Sequence, residues 1–428
     1  MQGLPTSGFR YLISGIMGAY HRDNGIEERT LITNRGGKRI FRFEISEYKE
    51  RLYHTKKKMQ DQGIDVLLIS DPANMNYLTG YDAWTFYVGQ IVVVSIDEEE
   101  PMWIGRDQDV NGAHITAWMN EKNIIPCPEE YYHSDEKHPM DFFARLVHLT
   151  GKSNRPIGVE MDMYYFTATT YEALKHALPN ATLKNANALV NWVRLVKSDQ
   201  EIDYMKKAAT LAENAMTVGL EKIDVGAREN EVVADIYHEL IAGTEAFGGD
   251  YPAVAPLIPS GDDTSALHVT WSDRKFHAND FAILKLAGCF SRYHAPLSRT
   301  IATGETPAKI KDGAKRCVEG LHAALDTIQP GATCEEIEAA WRRSVEKHGV
   351  LKDTFLGYSV GSNYPPDWGS HTANLRQGDR TVLKPNMTFH MIPRLWIGDS
   401  GIEVSETFRV TENGCETLTD FERKLFVK

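Results

Sequence analysis

Apolar residues recur along this chain in two rhythms that divide it into helices and strands. From Ser46 to Gly63, Tyr48, Leu52, Tyr53 and Met59 stand among charges at a spacing that lines one helix face, and Gly63 closes the run. Residues 64–69 are then mostly apolar, which marks a buried strand. Strands at 90–95 and 102–104 and helices at 140–149 and 165–177 complete an α/β layer domain expected to span 41–195. Ser198 stands at a helix N-cap with Asp199 and Glu201 in the following turn, so a long helix is predicted from there. Further helices are predicted over 229–243, 307–327 and 334–348. Residues 281–300 read as two strands joined by a turn, and hairpins around 387–396 and 402–410 are expected to add a curved sheet, which makes 196–428 a second, α+β domain. Residues 1–40 carry little periodicity and include the turn-rich basic break Asn34-Arg35-Gly36-Gly37-Lys38; they are expected to form an N-terminal arm.

Composition narrows the partners. The chain has 428 residues, 42% hydrophobic and 25% charged, enough for two or three domains with proper cores. A formal charge of −12 argues against nucleic acid and anionic membranes, which call for a basic face, and favours a small-molecule substrate. Five cysteines form no Cys-x-x-Cys pair and leave one over, which suits a reducing compartment, so a cytoplasmic protein is expected. The apolar run Tyr11 to Tyr20 holds two glycines and is too short to span a bilayer.

Two clusters carry candidate chemistry. His268 ends the small-residue loop Ser260-Gly261-Asp262-Asp263-Thr264-Ser265-Ala266-Leu267, where a histidine caps, packs or catalyses. Trp84, Phe86 and Tyr87 follow Thr79-Gly80 as an aromatic group, which serves packing or forms a wall for a cation.

Several motifs give the chain a family resemblance. Asp71-Pro72-Ala73-Asn74-Met75-Asn76-Tyr77-Leu78-Thr79-Gly80-Tyr81 resembles the opening of the creatinase-type N-terminal domain, and the Arg194, Lys197-Ser198, Glu201-Ile202 junction resembles the start of a pita-bread catalytic domain. In that superfamily, which includes methionine aminopeptidase, prolidase and creatinase, five side chains hold two metal ions. Counted from Arg299-Thr300, the two metal aspartates fall on Lys285 and Pro296. The metal histidine falls on Tyr358, and the two glutamates on Ile392 and Ser405. A lysine, a proline and an isoleucine cannot replace carboxylates around a divalent ion, so no metal and no other cofactor is expected. A closer resemblance is to a metal-free branch, the ectoine hydrolases. It rests on Gly80-Tyr81-Asp82-Ala83-Trp84-Thr85-Phe86-Tyr87, residues 105–113, His138-Pro139-Met140-Asp141, residues 266–273, Tyr364-Pro365-Pro366-Asp367-Trp368-Gly369 and Met387-Thr388-Phe389-His390.

That resemblance implies opening of a cyclic amidine, ectoine, to N-acetyl-2,4-diaminobutyrate, in a homodimer whose N-terminal domain closes the partner's site, with a deacetylase acting downstream. It makes His268 the acid–base catalyst and Lys285 a further catalytic candidate, and strand alternation adds Glu403, which shares the inward face of Ser405. Trp84, Phe86 and Tyr87 from the partner, with Tyr358, Trp368 and Trp396, would wall in a zwitterionic substrate, and Glu406 would bind it or pair with Arg299. The family hairpin has a carboxylate where Lys285 stands. The lysine then binds the substrate carboxylate, acts as a base or disables the site, and its charge alone predicts that Lys285→Glu favours a cationic ring. The competing functions are a creatinase-like amidinohydrolase, an Xaa-Pro peptidase and a ligand-binding pseudoenzyme.

Overall fold

The computed structural model describes residues 41–346 and 355–428; the expected arm over 1–40 and the end of the helix expected to reach residue 348 lie outside the described residues. The chain divides into two compact units between Leu189 and Val190, slightly ahead of the expected boundary.

In the first unit the helix Ile45–Asp61 buries Tyr48, Leu52 and Met59, three of the four predicted stripe residues. Tyr53 instead lies 63% exposed, because one residue past Leu52 is a turn of about 100° away from that face. Strand β1, Val66–Ile69, is buried throughout. It pairs antiparallel with β2, Ile91–Ser95, and parallel with β5, Pro156–Val159. With β3 (Met102–Arg106), β4 (Ile124–Cys127) and β6 (Thr182–Asn185) they form a six-stranded sheet in the order β4-β3-β2-β1-β5-β6. The helices Pro139–Leu149 and Ala168–Ala177 supply Phe142, Phe143, Leu146 and Leu174 to a core shared with sheet residues Val66, Ile104 and Val159.

One helix, Pro72–Thr79, has no counterpart in the hydrophobic pattern, because all eight of its residues are buried and show no stripe. Local chemistry makes it. Pro72 sits in its first turn, Asp71 accepts from the Ala73 N–H, and Gly80 closes it in a left-handed conformation. The segment after Gly80 carries the aromatic group. Phe86 is buried between Trp84 and Tyr165, with ring centroids 4.9 and 5.5 Å away. Trp84 and Tyr87 are 55% and 65% exposed.

The second unit is built on the hairpin of β7 (Phe281–Phe290) and β8 (Tyr293–Ala302), closed by Ser291 and Arg292 with φ of 52° and 71°. Both turn residues are left-handed, the twist a two-residue hairpin needs. The helix Asp199–Lys222 starts on the predicted capping box of Ser198 and Glu201 and packs against β7. At Gly288 it comes so close that a Cβ would lie 1.9 Å from the Ala208 carbonyl oxygen. A five-stranded antiparallel sheet, β10-β9-β11-β14-β15, takes in Gly369–Leu375, Gly357–Val360, Thr388–Met391, Glu406–Thr411 and Gly414–Thr417 in that order. It shares a core of Phe389, Phe408, Leu321 and Trp341 with the helices Ala308–Leu325 and Cys334–Glu346.

The expected hairpins are partitioned differently. The proline at 393 interrupts the first, so β11 pairs with β9 and β14, and Arg394–Ile397 (β12) forms its own hairpin with Ser400–Glu403 (β13). All five cysteines are free. Among the described residues no helix is long and apolar enough to cross a membrane.

Candidate active site

Three backbone devices bring the candidate residues of the second unit together. Lys285 lies opposite Ser298 on the β7–β8 hairpin, and its own peptide is bridged to Leu257 by two hydrogen bonds of 2.8 and 2.9 Å. Arg394 lies opposite Glu403 on the β12–β13 hairpin. Thr300 joins the two hairpins: its hydroxyl donates to the Glu403 carbonyl and accepts from the Glu403 N–H, each at 2.9 Å.

The loop leading to His268 is seated on the second hairpin. A Cβ on Gly401 would stand 2.2 Å from the Thr264 carbonyl oxygen, so only glycine allows this approach. Trp396 closes the contact by donating its indole N–H to the Ser265 carbonyl at 3.4 Å.

Lys285 Nζ lies 3.5 Å from Glu403 Oε1, and Arg394 Nε lies 3.5 Å from Glu403 Oε2. Glu403 is fully buried and Lys285 is 3% exposed. Burial drives the Glu403 carboxyl upward, but Lys285 and Arg394 outweigh it and hold the group below the usual carboxylate range. Burial lowers Lys285, Glu403 pulls it back up and Arg394 lowers it further, for a net decrease. His268 belongs to the same field. His268 is exposed, yet partial desolvation, then Lys285 and Arg394, lower its imidazole against the opposing pull of Glu403 and Asp367. At neutral pH it is the free base.

A second set of groups is joined by hydrogen bonds. Trp368 Nε1 donates to Tyr358 Oη at 2.8 Å, Tyr358 Oη lies 3.4 Å from His390 Nδ1, and His390 Nε2 lies 2.9 Å from Ser405 Oγ. Burial raises the Tyr358 phenol, so it stays protonated. Burial, with Lys285 and Arg394, holds His390 far below its ordinary value, so it is neutral.

Three expectations are corrected. Glu406 does not face this site. It is buried against Arg299, 2.6 Å away, with Arg423 at 3.1 Å and the Thr419 hydroxyl as further partners. The chain breaks strand between Glu403 and Glu406, and each carboxylate faces its own pair of cations, Lys285 and Arg394 for the first and Arg299 and Arg423 for the second. Trp368 is not an open wall, since it is 2% exposed and its indole is spent holding Tyr358. Phe86 is 8% exposed and packs beneath Trp84 as core. Trp396, 42% exposed, and Tyr358, half-buried, retain surface beside the cluster.

Four members escaped the sequence reading: Arg394, His390, Ser298 and Asp367. His390 lay inside the motif Met387-Thr388-Phe389-His390, where strand alternation puts it on the face of Thr388, opposite Phe389 and Met391. Arg394 had no such signal, because only the β12–β13 register sets it beside Glu403.

The comparisons with known proteins follow this architecture. Residues 51–196 match the creatinase/prolidase N-terminal domain and residues 203–412 match metallopeptidase family M24. The chain is 42% identical over 393 residues to the ectoine hydrolase of Halomonas elongata, covering 90% of this chain and 98% of that one. It is 43% identical over 390 residues to the uncharacterized hydrolase/peptidase y4tM of Sinorhizobium fredii, covering 91% and 100%. Among solved structures, the prolidase of Pyrococcus horikoshii OT3 shares the fold with a TM-score of 0.74 at 23% identity, covering 88% of this chain and 100% of that one.

The M24 match implies a metal centre, and the donor set does not fit one. Pro296 and Ile392 offer no side-chain ligand, and Lys285 brings a cation already paired with Glu403. Tyr358 and Ser405 are tied into the hydrogen-bonded chain through His390.

Proposed function

This chain belongs to the creatinase/prolidase family of hydrolases acting on C–N bonds, together with ectoine hydrolase, and from that membership we propose that it opens a cyclic amidine without a metal ion, converting ectoine to N-acetyl-2,4-diaminobutyrate. The observation that carries the metal-independent part is the side-chain set at the five inherited positions, where an ion pair and a hydrogen-bonded chain stand instead of ligands. The identity to ectoine hydrolase over 90% of the chain supports the substrate.

The residues supply the steps as follows. Water adds to the ring carbon between the two nitrogens, and neutral His268 takes its proton. His268 then returns that proton to a ring nitrogen as its C–N bond breaks, and the proton of the added hydroxyl passes to the departing nitrogen, leaving an acetyl amide and an ammonium. Water is consumed once and the histidine is regenerated. Glu403, held ionised by its two cations, stabilises the positive charge on the ring nitrogens. Trp396 and the ring of Tyr358 cover the apolar faces.

The working form is a cytoplasmic homodimer in which Trp84 and Tyr87 close the partner's site, a reading supported by their exposure on the first unit. The product, an N-acetyl amine, is the substrate of a separate deacetylase. Mixed dimers test the shared site: a His268→Ala chain combined with a Trp84→Ala chain regains activity above either parent dimer, and a mixture no better than its parents overturns the trans arrangement.

A further inference from the structure

The cluster around Glu403 is polar, buried and only loosely closed among the described residues. Arg394 Nε is buried without a hydrogen-bond partner among the described residues, and the Glu403 carboxylate, with the Ser298 hydroxyl beside it, meets Lys285 and Arg394 only at 3.5 Å. Glu403 and Ser298 are fully buried, and the Arg394 side chain is 9% exposed. The two ion pairs at 3.5 Å are longer than hydrogen bonds, which lie near ~2.7–3.2 Å, so the charges attract without being chemically satisfied. Leaving such groups unmade costs about 1–3 kcal/mol each, and charged ones more. Native proteins keep few such groups, and those they keep call for a functional or structural reason.

The signs and roles of these loosely held groups describe a ligand that would complete the set. Lys285, Arg394 and the Ser298 hydroxyl offer donors, two of them cationic, and so accept an anion. Glu403 offers only acceptors and so takes an N–H. Asp367 is the outer carboxylate of the site. It is tied to His371 at 3.2 Å and to the Gly369 N–H at 3.0 Å, and reaches Lys285 only through space.

We propose that Lys285 and Arg394 receive a substrate carboxylate while Glu403 receives the N–H beside it, so that the site selects N-substituted amino carboxylates, whether cyclic amidine acids or N-acyl amino acids. This deepens the hydrolase reading and rests on it for the location of the site. Lys285 is then a specificity residue. An amidinium that lacks a carboxylate meets two cations that share the one Glu403 charge, a net positive site, and is rejected by sign.

Calorimetric titration with three small probes tests this in the intact protein: N-acetylglycine, which has both groups, N-acetylglycinamide, which lacks the carboxylate, and N-acetylsarcosine, which lacks the N–H. The wild type is expected to bind the first at least about tenfold more tightly than either of the others. Lys285→Met is expected to bring the acid-to-amide ratio within about twofold while the preference for N–H persists. Should Lys285→Met fail to fold by circular dichroism, Arg394→Gln, which keeps the Lys285–Glu403 pair, replaces it in the same comparison. No preference for N-acetylglycine in the wild type, or an undiminished acid-to-amide ratio in the variant, overturns the proposal. Product analysis with ectoine separates this from the hydrolase reading: preference without turnover removes that reading and keeps the clamp, and turnover without preference does the reverse.

Discussion

Among the described residues Glu403 is the carboxylate paired with both buried cations, Lys285 and Arg394, and that asymmetry predicts how the cluster responds to neutralisation. At 3.5 Å each pair attracts by about 5 kcal/mol for an effective dielectric near 20, before desolvation is subtracted. Glu403→Gln removes both attractions and strands Lys285 and Arg394 in a buried site, a change that costs about 3–5 kcal/mol. Lys285→Met leaves the Arg394–Glu403 pair intact and removes an ammonium that was costly to bury, so its cost stays within about 1 kcal/mol. Adding Lys285→Met to Glu403→Gln removes one of the two stranded charges and is expected to recover about 1–2 kcal/mol, a coupling of the size contacting residues show. Urea unfolding of the four proteins gives these values from the transition midpoints, provided the slopes agree. Equal losses for the two single variants, or a double variant less stable than Glu403→Gln alone, would refute the assignment of Glu403 as shared counter-ion.

The same geometry revises the expectation for Lys285→Glu. Charge sign alone promised a gain for a cationic substrate, but the new carboxyl would face Glu403 across the cluster, the two would share a proton, and a lower thermal midpoint than Lys285→Met is expected. For His268, lowered by partial desolvation and the two cations, the acid limb of kcat/KM is expected below pH 6.5 and is expected to move upward in Lys285→Met; a limb that does not move separates His268 from the cluster. His294 is fully buried and lowered to about 4 from 6.5, mainly by burial. Its contribution is complete above pH 6.5 and is lost as the pH falls towards 4, a cost of about 3 kcal/mol that melting curves from pH 7.5 to 4.5 read and that His294→Asn flattens. Glu406→Gln, which breaks the pairing with Arg299 and Arg423, is expected to lower the melting midpoint at an unchanged KM for ectoine; a raised KM with normal stability would return Glu406 to the substrate.

Much of the fold was legible because helix stripes and caps are local. Ser198 and Glu201 announce their helix, and Tyr48, Leu52 and Met59 declare its buried face, without reference to any other part of the chain. The site was legible only where one residue carried the signal. Lys285, set in an apolar strand, demanded an acid nearby, and Glu403 is that acid. Arg394 became part of the cluster through a strand register that no local pattern encodes, and the break between β13 and β14 turned Glu406 to a different cation. Trp368 looked like a recognition aromatic because composition cannot distinguish a ring that faces a ligand from one that orients a tyrosine.

The central claim is hydrolysis of a cyclic amidine by side chains alone, and one measurement addresses it. The purified protein is dialysed against a chelator, checked by elemental analysis, and incubated with ectoine while the product is followed by mass spectrometry. The account predicts addition of one water to give N-acetyl-2,4-diaminobutyrate at a rate the chelator does not change; no product, or product only after a divalent metal is restored, would contradict it.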